Sequence, residues 1–478
     1  MTDDAEKGSF RELFEGTRGL YSALIIGSLA LHATQILVIA IIMPTIVADV
    51  GGAVFYTWAA MLYTIGSIVG ASSTGAVWAR LGPRNGYTLA AVTFALGTIA
   101  CALAPSMIAL VAARGVQGWA GGLVSGGATA LITSLYDARL RTRILALSQA
   151  TFTCCHLSGP IVGGLFAAIH WWRGSFWLMV PLMLAFAAIA RFKIPEALDT
   201  DPQRGRMQPF PLTRLLTLAL GVFCIAATGP VEGAAARAVL IAAAVLLVGI
   251  AFRLDRDAGN KLFPAHAVSL TAPIGLALWI LSLHAMTQTS VTLFLPLLLQ
   301  VVHGVSPLFV NFVTITISFG WTVGSFGASG WSGGRERIAL WSGPLIAFAA
   351  LVCLTSVALL PGLAMLTLCA FTMGTGIGIY NVHLVARTME GAGPGEQRTT
   401  AAALTSVRSL GTAFGAAIAG VIAHAAGLTD AADPVSVGRA VSAVYGFCWI
   451  PLALAVLFMF RFIRVAVPRV APLAAPAD

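Results

Sequence analysis

The sequence predicts an all-α polytopic membrane protein: two related six-helix bundles flanking two further helices, 14 spans in all. Three observations carry this expectation. The first is composition. Of 478 residues, 58% are apolar and only 10% charged, and apolar runs of about 20 residues, the length that crosses a bilayer, recur from end to end. The runs are continuous and not alternating, which excludes a β-barrel. The second is a long internal repeat. Leu31-His32-Ala33 followed by Pro44 returns as Leu283-His284-Ala285 followed by Pro296, and 284 − 32 and 296 − 44 both equal 252. Gly122 and Gly126 match Gly374 and Gly378 at that offset, and Gly159 and Gly163 match Gly411 and Gly415. A period this long through apolar helices marks a duplicated bundle and not a solenoid. The third is charge. With a cytoplasmic N-terminus and alternating spans, 28 Lys and Arg divide unevenly. Only Arg173, Arg237 and Arg439 fall outside, and Arg114 and Arg408 fall within spans. The rest lie on the cytoplasmic side, as positive-inside topology requires.

The elements follow in order. Residues 1–19 form a polar cytoplasmic N-terminal arm. Residues 20–192 form the first bundle, with spans near 20–45, 54–78, 87–104, 106–135, 144–170 and 175–192. Pro44 marks the far end of the first span, the run Arg80 to Arg84 closes the second, and Pro105 stops the third. Residues 193–212 carry Pro195, Pro202, Pro209 and Pro211 with mixed charges and read as a cytoplasmic linker. Two inserted helices fill 213–252, and a second cytoplasmic linker spans 253–270. The second bundle is 271–463, and the Pro/Ala-rich tail 464–478 is cytoplasmic. The expected location is the bacterial inner (plasma) membrane, multi-pass.

Several functions are excluded. The net charge of +9 sits in short loops facing anionic lipid, so no nucleic acid is expected as partner. The three lysines, Lys7, Lys193 and Lys261, lie in no phosphate-binding loop. Gly374, Gly376 and Gly378 lack a preceding strand and read as close helix packing. The 7 Cys all lie in apolar runs without metal-ligand spacing. No enzyme, cofactor or metal site is expected.

Polar residues inside spans mark a transport pathway, because they are costly in lipid. His32 and Gln35 share one helix face at i,i+3, as do Arg114 and Gln117. His156, His284, Gln288, Asn311 and Arg408 complete the candidate substrate and proton path. No Asp or Glu lies in the middle of a span. Asp49 comes nearest, five residues past Pro44, or roughly 7 Å further along a helix.

These residues bring a resemblance into view. The chain resembles, over nearly its whole length, the major facilitator superfamily, in particular its 14-span drug:proton antiporter branch. Gly75-Ala76-Val77-Trp78-Ala79-Arg80-Leu81-Gly82-Pro83-Arg84 is similar to the superfamily's loop motif between spans 2 and 3. Arg114-Gly115-Val116-Gln117-Gly118 resembles its span 4 motif. Gly159-Pro160-Ile161-Val162-Gly163-Gly164 resembles the span 5 motif associated with exporters, and Trp172-Arg173 before Phe176 and Pro181 resembles the branch. The resemblance implies that Gly75, Arg80, Gly82, Arg84, Gly159, Pro160, Gly163 and Gly164 control conformation. The glycines let helices approach closely. The arginines can bind helix C-termini, and Arg114 can hold a carboxylate. Two positions depart from the pattern: Ala79 and Gln35 stand where the family has acids. Proton coupling, where present, is therefore expected through His32, His284 or His156.

The expected function is export of drugs or small amphipathic metabolites by alternating access around a midplane site. An uncoupled facilitator is the alternative within transport, and a non-transporting scaffold or sensor the alternative outside it. The expected partners are a small amphipathic substrate, protons and the lipid bilayer, with the chain acting as a monomer.

Overall fold

The computed structural model describes residues 11–136, 138–194, 211–228, 231, 233–258, 263–264, 266–329, 331–391, 397–428 and 433–466. Every regular element among them is helical. In lipid no water satisfies backbone N–H and C=O groups, so the apolar runs close their hydrogen bonds within each helix. The first bundle holds α1 (Gly16–Val50), α2 (Trp58–Ala102), α3 (Met107–Leu135), α4 (Ala138–Ala168) and α5 (Trp172–Lys193). A hairpin follows, α6 (Leu212–Ala227) and α7 (Ala234–Arg256). The second bundle holds α8 (Pro273–Leu297), α9 (Pro307–Ala328), α10 (Gly334–Val357), α11 (Ala364–Glu390), α12 (Gln397–Ala425) and α13 (Pro434–Ala466).

Local chemistry sets the ends. Gly51, at φ 70°, stops α1, with its N–H on the Val47 carbonyl. The Ser106 side chain accepts from Ala109 N–H and opens α3. Pro273 and Pro307 begin α8 and α9, where a missing N–H costs nothing. Asp433 accepts from the N–H groups of Val435 and Ser436 at the start of α13.

Several boundaries differ from the sequence reading. Spans 2 and 3 are the two arms of α2, separate helices as expected, which meet with no intervening loop at Gly82, whose φ of 83° and ψ of 162° no L side chain adopts comfortably. The expected linker at 253 begins later, because α7 runs to Arg256, and the expected tail at 464 begins later, because α13 runs to Ala466. The linker 193–212 falls mostly on residues outside those described. Among the described residues, twelve helical stretches are long and apolar enough to cross a membrane. The helices at spans 5 and 7 are not among them. α4 has 31 residues but opens on three arginines, and α6 has 16. At 1.5 Å per residue α6 reaches about 24 Å, short of a hydrocarbon core of about 30 Å.

The two bundles repeat one packing scheme. α1 packs on α4 as α8 packs on α12, and α9 packs on α11 as the first arm of α2 packs on α3. Glycines make these approaches possible. A Cβ on Gly122 would stand 2.1 Å from the Ser67 carbonyl, and one on Gly374, its repeat mate, 2.0 Å from that of Ile317. Between bundles, α4 meets α9 and α12 meets α2.

Among the described residues the hydrogen bonds between the bundles lie at one end. Tyr56 Oη donates to Leu293 O at 3.1 Å and Gln300 Nε2 to Ile41 O at 3.2 Å. Gly420 lies against Thr57, and Gly164 against Asn311. All of these lie near the end opposite the arginine-rich loops. One apolar core runs through both bundles and contains Val38 to Val47, Ala53 to Met61 and Leu293 to Leu299. Toward the arginine-rich end the first bundle has a core of its own, built around Tyr87, Phe94 and Phe186.

Candidate functional site

In the first bundle, α1, α2 and α3 converge on Arg114. The i,i+3 pairs His32/Gln35 and Arg114/Gln117 face each other across the α1–α3 contact, because each pair occupies one helix face. Gly118 and Gly121 bring α3 close. Their Cβ atoms would lie 2.2 Å from the Tyr63 carbonyl and 2.7 Å from His32 Nδ1. Arg114 and Gln117 are fully buried, and His32 and Gln35 nearly so.

The guanidinium is surrounded by neutral oxygens. Arg114 Nη1 donates to Gln117 Oε1 at 2.5 Å and to Gln35 Oε1 at 3.5 Å. Nη2 donates to Gln35 O at 3.3 Å and Nε to Ala59 O at 3.3 Å. Below it lies the Tyr63 ring, 4.1 Å from Cζ. Gln117 Nε2 donates onward to Thr98 Oγ1 at 2.8 Å, and Thr98 to Phe94 O at 2.7 Å. Tyr63 Oη bonds His32 Nδ1 at 2.9 Å, with the two rings stacked. No side-chain carboxylate is bonded to Arg114 among the described residues. Its charge is solvated by amide and backbone dipoles, the arrangement a buried arginine adopts when Gln35 replaces the acid.

The second bundle holds the repeat mates in a different state. His284 on α8 is buried, and the polar side chain within its reach is Gln288, one turn on, at a geometry too loose for a well-formed hydrogen bond. Its ring stands edge-on to Trp321 of α9 and Tyr380 of α11, both at 5.9 Å. Tyr380 Oη is buried without a partner. Arg408 Nη2 donates to Asn381 Oδ1 at 3.2 Å, and its Cζ is 5.7 Å from the Trp321 ring. Gln288 follows His284 by one turn and is half-buried.

Asn311 does not join either cluster. It sits at the α4–α9 seam with both amide atoms buried and unbonded, and a Cβ on Gly164 would fall 1.8 Å from its Nδ2. The adjacent glycines of the span 5 motif thus serve two neighbours. Gly163 faces Val38 and Ile41 of α1, and Gly164 faces α9 of the other bundle. Gly159 faces Leu37. In the loop motif Gly82 breaks α2, Arg80 is exposed, and Arg84 Nε donates to the Arg191 carbonyl at 2.5 Å in the last turn of α5. A cation there meets the partial negative charge of the helix end. The surroundings of Gly75, His156 and Pro160 lie outside the described residues.

Tyr63, Thr98, Trp321, Tyr380 and Asn381 went unnoticed in the sequence. Aromatic residues in a span look apolar, and only their hydroxyl or indole edge reveals a polar role. At the opposite end, Asp49 accepts from Arg173 Nη1 at 2.5 Å and Trp172 Nε1 at 3.0 Å, and Arg173 also bonds Ala104 O. The nearest acid to the first span therefore ties α1 to α5 and stays out of the Arg114 cluster.

Comparison with known proteins gives a consistent result. The Major Facilitator Superfamily profile matches residues 24–416. A Mycobacterium tuberculosis protein named "Probable multidrug-efflux transporter" is 32% identical over 445 residues, covering 89% of this chain and 92% of its own. A bacterial homolog of the human lysosomal transporter Spinster, solved in an inward-facing and occupied conformation, superposes with a TM-score of 0.63 at 16% identity, covering 97% of this chain and 100% of that one. A D-xylose–proton symporter superposes with a TM-score of 0.61 at 15% identity, covering 95% and 99%.

Proposed function

Since the chain belongs to the major facilitator superfamily, and is a multi-pass membrane transporter and not an enzyme, we propose that it exports small amphipathic molecules, drugs among them, by rocking of its two bundles. The observation that carries this reading is the one-ended junction. Among the described residues, hydrogen bonds between bundles gather at the end away from the arginines, and at the arginine-rich end the first bundle has a core of its own. Placed by the positive-inside rule, with both termini cytoplasmic and 14 spans, this is an inward-facing state in the bacterial inner membrane. The division into bundles 20–192 and 271–463 around the inserted helices 213–252 belongs to the same proposal. The relative named for multidrug efflux supports the substrate class. Overexpression should lower accumulation of lipophilic dyes in whole cells. A panel of dyes retained equally with and without the protein would point instead to a scaffold.

Within this reading the two histidines divide the work. His32 is held by Tyr63, and Arg114 by four oxygens. Tyr380 Oη is buried without a partner and His284 has only the loosely placed Gln288, so this site is less completely bonded than the one at His32, and an unsatisfied buried group costs roughly 1–3 kcal/mol. His284 is therefore the group whose partner changes, by substrate contact or by proton uptake. Arg408, Gln288 and Asn311 lie on the same side of the molecule as the changing half.

One observation favours a second reading, an uncoupled facilitator. The oxygens around Arg114 are all neutral, so this cluster holds no carboxylate to carry a proton. Proteoliposome flux distinguishes the two: coupling requires that an imposed pH gradient drive dye movement, and a facilitator shows none.

A further inference from the structure

Beside the second bundle, the α6–α7 hairpin leaves a groove against α8 and α12. Its inner part is an apolar cavity of about 290 Å³ walled by Phe252, Leu278, Met286, Leu410 and Phe414. Its outer part is a cavity of about 580 Å³ at the arginine-rich end of α7, lined by Arg253, Arg256 and the turn at His266 to Ser269. The two share Phe252, Phe263, Ala267 and Val268 as a common wall, so they form one groove, apolar inside and cationic at the mouth.

The charge of the mouth is fixed by an ion pair. Asp255 is the acid that lines it, and Asp255 is buried against Arg214 of α6 while accepting from Phe263 N–H at 3.0 Å. Arg253 and Arg256 are exposed. The lip is a built turn. Trp279 Nε1 donates to Val268 O at 3.2 Å, Ser269 Oγ accepts from the N–H groups of Thr271 and Ala272, and a Cβ on Gly275 would stand 2.1 Å from Ser269 O. Among the described residues, none of the first bundle lines either part. At its inner end Leu218 and Leu410 also wall a small cavity beside Ile65, Ile68 and Val69 of α2, so the groove borders the first bundle there.

We propose that this groove binds one anionic phospholipid, its acyl chain in the apolar cavity and its phosphate headgroup against Arg253 and Arg256. The two-part polarity requires an amphipath, and the cationic mouth selects a negative head. A free anion would leave the inner cavity unfilled, and a neutral lipid would leave the arginines unmatched. The proposal rests on the reading of the arginine-rich end as an interfacial surface.

The test uses the full chain in nanodiscs of phosphatidylcholine containing increasing fractions of brominated phosphatidylglycerol or brominated phosphatidylcholine. The readout is the part of the tryptophan fluorescence that disappears in Trp279→Phe. Bromines quench on contact, and both faces of a nanodisc carry the same lipid, so the result does not depend on orientation or on transport. Two arginines near an anionic headgroup should give quenching by the glycerol lipid at an about tenfold lower mole fraction than by the choline lipid. R253Q/R256Q should remove that preference and leave chain contact intact, and Ala267→Trp, which fills the shared wall, should remove both. Equal quenching by the two lipids, or a preference unchanged in R253Q/R256Q, overturns the proposal. So does displacement of the glycerol lipid by a transported dye at its transport concentration, which would make the groove a cargo site.

Discussion

His32 and His284 occupy equivalent places in two copies of one bundle, yet their surroundings have diverged. On α1 the imidazole bonds Tyr63, whose ring lies under Arg114, and the guanidinium in turn bonds two glutamines and two carbonyls. On α8 the imidazole stands against the edges of Trp321 and Tyr380, with Gln288 as its loosely placed polar neighbour. Duplication supplied the same helix position twice, and the neighbouring helices decided what each could do. A fully bonded polar cluster fixes one packing arrangement, and a partly bonded one is poised to change partners. The first bundle thus holds its shape, and the second responds.

The comparison can be broken most directly at Arg114. Arg114→Lys keeps the charge but loses the fork that reaches four oxygens. Efflux should fall to background at matched expression, and the purified protein should lose roughly 2–4 kcal/mol of stability by thermal unfolding, given charge-assisted bonds of about 1.5–3 kcal/mol each. Arg408→Lys, with one amide contact, should lose much less stability. Equal losses would erase the distinction between halves.

The seam between bundles gives the next largest effect. Gly164→Ala puts a methyl group into Asn311 and the Pro307 carbonyl, whereas Gly163→Ala meets Ile41 and Val38 at 3.1 and 3.2 Å. Overpacking at Gly164 should cost about 1–3 kcal/mol and weaken the inward-facing state, read as loss of dye efflux. Asn311→Ala should partly restore Gly164→Ala by removing the clash. Failure of that rescue would place the defect elsewhere.

A smaller effect is expected at the loop motif. Arg84→Gln loses the bond to the Arg191 carbonyl. One such bond is worth about 0.6 kcal/mol within membrane proteins, so the fold should survive while the balance between conformations shifts by about threefold. Protease accessibility of the arginine-rich loops measures that shift, and an unchanged cleavage rate would remove the motif's conformational role.

Much of this was legible in the sequence, for physical reasons. Long apolar runs must become helices in lipid, so the architecture followed from composition. The 252-residue offset located equivalent helix faces, and the i,i+3 spacing of His32/Gln35 and Arg114/Gln117 brought one cluster together. The glycines of the span 5 motif announced close approach, although only the structure shows that Gly163 and Gly164 face different bundles. What the sequence withheld depends on contacts between distant helices. No local pattern tells that Tyr63 rather than an acid would sit beneath Arg114, or that Asp49 would turn toward Arg173. Nor does repeat position reveal hydrogen bonding, since Trp321 and Tyr380 have no counterpart around His32.

The division between a held half and a responsive half stands or falls on ligand-dependent stability. Thermal unfolding of purified wild type, His32→Gln and His284→Gln should be compared with and without an exported dye, since binding raises the unfolding temperature by mass action. The account predicts that His32→Gln lowers the unfolding temperature of the empty protein and keeps the dye-induced rise. His284→Gln should leave the empty protein unchanged and abolish the rise. The reverse pattern, or an equal loss of the rise in both variants, would contradict it.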